Sequence, residues 1–317
     1  MTENKYIKYL IIFLTLIISY YVTLRIDAPN YEMKLKRHTT IVDNNIEYPY
    51  KYRLINPYIS HLWFTILRQF LPDKTSFLLA YFIQNFIVYL FLFYCVKKFF
   101  SIWFDNTGIA IGLLILAVLI PLSLTGYDVL GDMLTAGFMA LGFYFININK
   151  TSLLLPLVFI AAFNELQIII LAAVFLLSKK QNLISAKGWL NFILLLVTFC
   201  IAYFLLYILR GGAASQGDVV WYFTKDAAFN IAHKDWILLW LIMITPFLPF
   251  VLKSFKLKPI FLRRTFLIIL PVCYVISFFF IARMREIDKA LTIFLILIPL
   301  ALYTILPSHV KKEQLQN

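Results

Sequence analysis

The sequence predicts an all-α fold: a polytopic helical membrane protein of about ten hydrophobic helices, one pair of them a short-helix hairpin, with both termini in the cytoplasm. Three observations carry this expectation. Hydrophobic residues make up 62% of the chain and mean hydropathy is +0.83, well above the apolar share of soluble domains. Several apolar runs reach the roughly 20 residues a helix needs to cross a bilayer core, and they are continuous, which argues against the alternating segments of a β-barrel. The short loops that alternate with them on one side are basic, as cytoplasmic loops are.

The first span is Tyr6–Leu24, preceded by Lys5 and Lys8. Its run is long for a signal-peptide core and no small-residue cleavage site follows, so it reads as a retained anchor. Residues 25–76 form a first outer loop, whose second half, Tyr58–Leu71, has the apolar spacing of an interfacial amphipathic helix. Phe77–Val96 returns to Lys97 and Lys98, Ile109–Thr125 leads out, and Leu130–Asn147 comes back to Lys150. The run Ser152–Ser178 is basic at both flanks and carries Asn164, Glu165 and Gln167 in its middle. A hairpin of two arms, each about 12 residues or about 18 Å, keeps both basic flanks inside and leaves the polar tip at membrane depth. Trp189–Leu209 then leads to a second outer loop, 210–236, and Ile237–Leu252 returns to a basic inner loop. Thr265–Ala282 and Lys289–Leu306 complete a single transmembrane domain over residues 1–317.

The net charge is +13, but the basic residues flank hydrophobic spans, so membrane lipids are the expected partner and nucleic acid is not. Cys95, Cys200 and Cys273 fall in apolar runs and read as small core residues. The four histidines are scattered in sequence, so no metal site is expected, and no cofactor or nucleotide motif is present.

The densest polar stretch is Glu47-Tyr48-Pro49-Tyr50-Lys51-Tyr52-Arg53-Leu54-Ile55-Asn56-Pro57. Pro49 and Pro57 argue against a regular helix across it. Tyr48 and Tyr52 have the amphipathic rings that settle at a membrane boundary, and Arg53 presents a planar fork suited to phosphate. Two readings are open: a substrate-binding loop over a polar cavity, or an interfacial anchor with Arg53 snorkelling. Acidic residues also collect on the outer side. Asp27 follows span one, Asp128 and Asp132 open span four, Glu165 tips the hairpin, and Arg283, Arg285 and Glu286 end span nine. Ionisable groups at such depth usually face a cavity or a partner. Each has a structural alternative: Asp27 pairing with Arg25, Asp128 capping a helix, the late arginines pairing with Glu286 or Asp288. Gln84 and Asn85 read as interhelical hydrogen-bond glue.

The order Asp27…Tyr31, Tyr48-Pro-Tyr-Lys-Tyr-Arg-Leu-Ile-Asn-Pro57, Tyr127-Asp128, Phe163-Asn164-Glu165-Leu166 and Arg283-Met-Arg285-Glu286 resembles a group of bacterial integral membrane proteins of the GT-C glycosyltransferase type. This chain departs from their pattern at the tip, where Leu166 replaces a threonine and no arginine separates Asn164 from Glu165. The resemblance implies a multi-pass protein of a bacterial inner or plasma membrane. Such a protein transfers a sugar, with inversion, from a polyprenyl-phosphate donor to an envelope glycan, lipid or protein at the outer face. It further implies Asp27, then Glu165 or Asp128, as catalytic carboxylate. Tyr48, Tyr52, Arg53, Asn164, Arg283, Arg285 and Glu286 would bind substrate. A transporter or flippase for a lipid-linked or anionic solute, and a scaffold subunit without a site, are the alternatives.

Overall fold

A computed structural model of the chain describes residues 3–45, 53–124, 130–211, 216–271 and 283–311. Among these residues the regular structure is helical, with one isolated bridge between Phe104 and Val310. Helix α1, Glu3–Val22, ends in a π-helical turn, Thr23–Asp27, so Asp27 lies within the first span's last turn rather than after it. The stretch expected as the first outer loop holds two helices among its described residues, α2 (Tyr31–Val42) and α3 (Ile55–Leu67). Helix α2 was not anticipated. Pro57 does not bar α3: it sits in the first turn, where the proline's missing N–H would have had no helical partner anyway.

Helix α4, Asp73–Phe100, is the hub against which α1, α3, α5 (Asn106–Ser123) and α6 (Leu130–Asn147) pack. Small residues allow the close approach that apolar helices need in a membrane. A Cβ on Gly137 of α6 would stand 2.8 Å from the ring of Phe91 on α4. The run after α6 is broken as its polar centre suggests. Helix α7 (Thr151–Ala162) stops at Phe163, Glu165 is extended, and the 3-10 turn Leu166–Ile169 leads into α8 (Ile170–Leu177). The Lys179 ammonium, just past α8, donates to the Ile146 and Asn147 carbonyls at 2.7 and 2.9 Å, so the two arms begin and end at one face.

The short α9 (Lys180–Ile184) precedes α10 (Ala186–Arg210), which packs on α7 and α8 and exposes most of its apolar surface, Cys200 included. The stretch expected as the second outer loop is largely helical, with α11 spanning Gln216–Ala232. Helix α12 (Trp236–Ile244) leaves it at an 80° bend, and a break at Thr245-Pro246-Phe247 separates α12 from α13 (Leu248–Leu252), which holds Pro249 in its first turn. Helices α14 (Ile260–Ile269) and α15 (Leu291–Ile305) complete the described bundle. Much of the expected ninth span and Cys273 lie outside the described residues. Among the described residues four helices are long and apolar enough to cross a membrane, or five if the bent pair Thr224–Ala232 and Trp236–Ile244 is one span. The chain is a helical membrane protein. The remaining apolar helices, among them α7 and α15, are shorter than about 20 residues.

The bundle has a basic end and a polar end. At the basic end Lys8 lies near enough to Lys97 for their charges to repel. Three lysines there also stop helix C-termini by donating to carbonyls freed in the last turns. Lys179 caps α6, Lys311 reaches the Ser101 carbonyl after α4, and Lys258 takes the Phe250 and Val251 carbonyls of α13. Burial lowers the Lys258 ammonium to about 8 and draws Lys179 down from its ordinary value. Asp105 starts α5 by accepting from the Gly108 N–H at 2.9 Å and pairs with His309. Partial burial pushes its carboxyl up, but these bonds outweigh that and hold it below the usual range.

Candidate functional site

At the polar end a cleft of about 560 Å³, counting its open mouth, lies between α2, α3, α4, α6 and the hairpin tip. Helix α2 gives one wall. Lys34, Arg37, His38 and Ile41 fall at i, i+3, i+4 and i+7, one helical face, and all line the cleft. Arg53 comes from just before α3, Asn56 and Pro57 from its first turn, Tyr81 from α4, Leu130 and Gly131 from α6, and Asn164 from the tip.

Local hydrogen bonds explain why the tip stays fixed. The Leu54 N–H donates to the Phe163 carbonyl at 3.0 Å, tying α3 to the break. The Asn164 amide donates to the Gly131 carbonyl at 2.8 Å and to Thr135 Oγ1 at 2.7 Å. Thr135 in turn donates to Glu165 Oε2 at 2.9 Å, while Arg53 Nη2 donates to Glu165 Oε1 at 2.6 Å. A relay of amides continues inward: Gln84 donates to Asn56 at 3.0 Å, and Asn56 to Asn164 at 3.4 Å. Asn56, Gln84, Thr135, Asn164 and Glu165 are all buried, so each such bond offsets a desolvation cost of about 1–3 kcal/mol.

Asp27 stands behind this wall. It is fully buried, and its partner is Lys34 rather than Arg25. Its second oxygen accepts from the Asn85 amide at 2.9 Å, and that amide also reaches Thr23 Oγ1 at 3.3 Å. Lys34 rests 4.0 Å above the centre of the Tyr81 ring. Asp27 therefore touches the cleft through Lys34 and does not line it.

His38 occupies an aromatic cage of Phe64, Phe77 and Tyr81. Its Nδ1 is 3.1 Å from the Tyr81 hydroxyl and its Nε2 is 3.2 Å from His61 Nδ1. Histidines far apart in sequence thus meet in the fold. Burial first, then the charges of His61 and Lys34, push His38 down to about 4, so it is neutral at ordinary pH. No group of three or more His, Cys, Asp or Glu suited to a metal ion occurs among the described residues.

The structure divides the expected site residues. Arg53, Asn164 and Glu165 are brought together, with Asp27 one lysine away. Arg283, Arg285 and Glu286 do not line this cleft. They belong to a second cluster around the α11–α12 bend. Asn230 accepts from the Met284 N–H at 2.8 Å, and Trp240 donates to the Met284 carbonyl at 2.7 Å. Arg283 lies over the Phe229 ring and 3.8 Å from Asp226, and Arg285 pairs with Asp235. Tyr48, Tyr52 and Asp128 lie outside the described residues.

Lys34, Arg37, His38, Thr135 and Asn56 were not singled out from sequence as site residues. The stripe on α2 carried a signal: charged residues at helical spacing within four turns of Asp27. Gln84 and Asn85 do bridge helices as expected, and they do so by gripping Asn56 and Asp27 of this site. No family model, no curated protein and no solved structure matches the chain.

Proposed function

We propose that this protein is a GT-C-like glycosyltransferase of a bacterial inner or plasma membrane that uses a polyprenyl-phosphate sugar at its outer face. In this reading the ten hydrophobic helices run with both termini in the cytoplasm, and the basic end is the cytoplasmic one. One observation carries it. Three cationic side chains, Lys34, Arg37 and Arg53, share a cleft with the amides Asn56 and Asn164, and no carboxylate lines it among the described residues. Guanidinium and ammonium groups suit a phosphate, and amides suit sugar hydroxyls. A hairpin whose arms are about 18 Å long holds Asn164 at a depth a lipid headgroup can reach.

The acceptor hydroxyl attacks the anomeric carbon, a carboxylate takes its proton, and the cations offset charge growing on the leaving phosphate. Asp27 is the first choice for the base. Glu165 is held by Arg53 and Thr135 in a positioning arrangement. The test is transfer from a polyprenyl-phosphate sugar by the purified protein in nanodiscs. Asp27→Asn keeps the shape but takes no proton at neutral pH, so transfer should fall about 10²–10⁴-fold; because it also leaves the buried Lys34 without its charge partner, the comparison is made on variant protein whose thermal midpoint in detergent shows it folded. Unchanged transfer in that variant would remove Asp27 from the chemistry. The polar break at Phe163–Glu165 also favours a second reading, a transporter or flippase for a lipid-linked or anionic solute. Lipid-phosphate translocation without sugar transfer in the same nanodiscs would establish it.

A further inference from the structure

Lys34 belongs to two environments at once. Its ammonium closes on Asp27 Oδ1 and lies over Tyr81, yet the same side chain forms part of the cleft wall. Asp27 is wholly buried, and the oxygen a base would use is already occupied. An acceptor hydroxyl entering the cleft therefore meets Lys34 before it meets Asp27.

We propose that Lys34 is a charge-operated cover on Asp27. A phosphate entering the cleft draws the ammonium off Oδ1, and the base is exposed only while the donor is bound. This inference rests on the transferase reading. Four features support it. Arg37 and Arg53 share the wall with Lys34, so an arriving phosphate is held at a place from which it attracts the ammonium. At 5% exposure Lys34 is little screened by water, so a second anion competes strongly with the first. The lysine stem is long and rotatable, and the Tyr81 face gives the ammonium a favourable position between the two anions. Asn85 keeps Oδ2, so the carboxylate stays oriented after Oδ1 is released.

The chemistry balances. The acceptor O–H proton passes to Asp27 Oδ1, and the acceptor oxygen bonds to the anomeric carbon. The bond from that carbon to the phosphate oxygen breaks with its electron pair going to the phosphate. The added negative charge then falls among Lys34, Arg37 and Arg53. When the lipid phosphate leaves, Lys34 returns to Asp27 and the proton is released. Without donor the base stays covered, so water is not activated in its place.

The experiment is infrared difference spectroscopy on the full-length protein labelled with carboxyl-13C aspartate, using decyl phosphate as probe and inorganic phosphate in a second arm. Asp27→Glu identifies the Asp27 band, because it removes the label while keeping the charge. The expected result is a saturable shift of that band on adding decyl phosphate. A shift with inorganic phosphate as well would mean that the phosphate group alone operates the cover, and a shift with decyl phosphate only would mean that the lipid tail is required. Saturable binding with an unmoved Asp27 band would overturn the cover and leave the cleft reading standing. Absence of saturable binding would overturn both.

Discussion

Arg53 and Arg285 both stand toward the polar end of the bundle and both hold a carboxylate. The Arg53–Glu165 side chains are 15% and 7% exposed, whereas those of Arg285 and Asp235 are 48% and 47% exposed. The first pair joins α3 to the hairpin tip and shares Glu165 with Thr135. The second joins two neighbouring turns at the surface. Both arginines stand toward one end of the bundle, and burial decides what each is worth. A buried charge that loses its partner is left in a medium that cannot solvate it, while an exposed one is taken up by water.

The largest effect should come from splitting the buried pair. Arg53→Met is expected to destabilise the protein by about 3–5 kcal/mol, seen as a lower thermal midpoint in detergent. Adding Glu165→Gln should recover part of that loss, because the stranded charge is then gone. If the double variant is no better than the single one, Arg53 acts through packing and the contrast between the two pairs dissolves.

Next comes pH. His38 is lowered to about 4 from an ordinary 6.5, so between these values the unfolded chain binds a proton that the folded protein refuses. The stability tied to neutral His38 is complete above pH 6.5 and is lost as pH falls toward 4, by at most about 3 kcal/mol. His38→Phe, which suits the surrounding Phe64, Phe77 and Tyr81 rings, should flatten that fall. A slope unchanged in the variant would assign it to another group.

Gly137→Ala sets its Cβ against the Phe91 ring and should cost about 1–3 kcal/mol through overpacking at the α4–α6 contact. Smallest of all should be Arg285→Ala, within about 0.5 kcal/mol, because its pair is exposed. A cost near that of Arg53→Met would show that the second cluster is buried by a partner in the membrane.

Much of the scaffold was legible. Helices α4, α5, α6 and α10 follow their apolar runs, and the break at Asn164 and Glu165 was readable because polar residues at that depth need internal partners. The cleft was less legible, for a physical reason. Periodicity finds a helix by its apolar face, but α2 turns a charged face inward, where Lys34, Arg37 and His38 sit at the spacing expected of core residues. The late Arg-x-Arg-Glu stretch was placed with Asp27 because side of membrane can be read from loop charge, while lateral position in the bundle cannot. Its actual anchors, Asn230 and Trp240, are ordinary residues until the 80° bend brings them to Met284.

Helix α10 ends in Arg210, whose guanidinium holds the Ile41 carbonyl and the Tyr58 hydroxyl, while the Asn44 amide returns to the Arg210 carbonyl. The apolar part of α10, between Lys187 and Arg210, is about 31–33 Å long, close to a hydrocarbon core of about 30 Å. Arg210 ties that end of α10 to the two helices that carry Ile41 and Tyr58, so a change of tilt imposed by a thinner or thicker bilayer would reach them. Decyl phosphate affinity should then vary with lipid acyl length, and Arg210→Gln should remove that dependence. Through this joint, hydrophobic mismatch would become a mechanical input to the wall that carries Lys34 and Arg37.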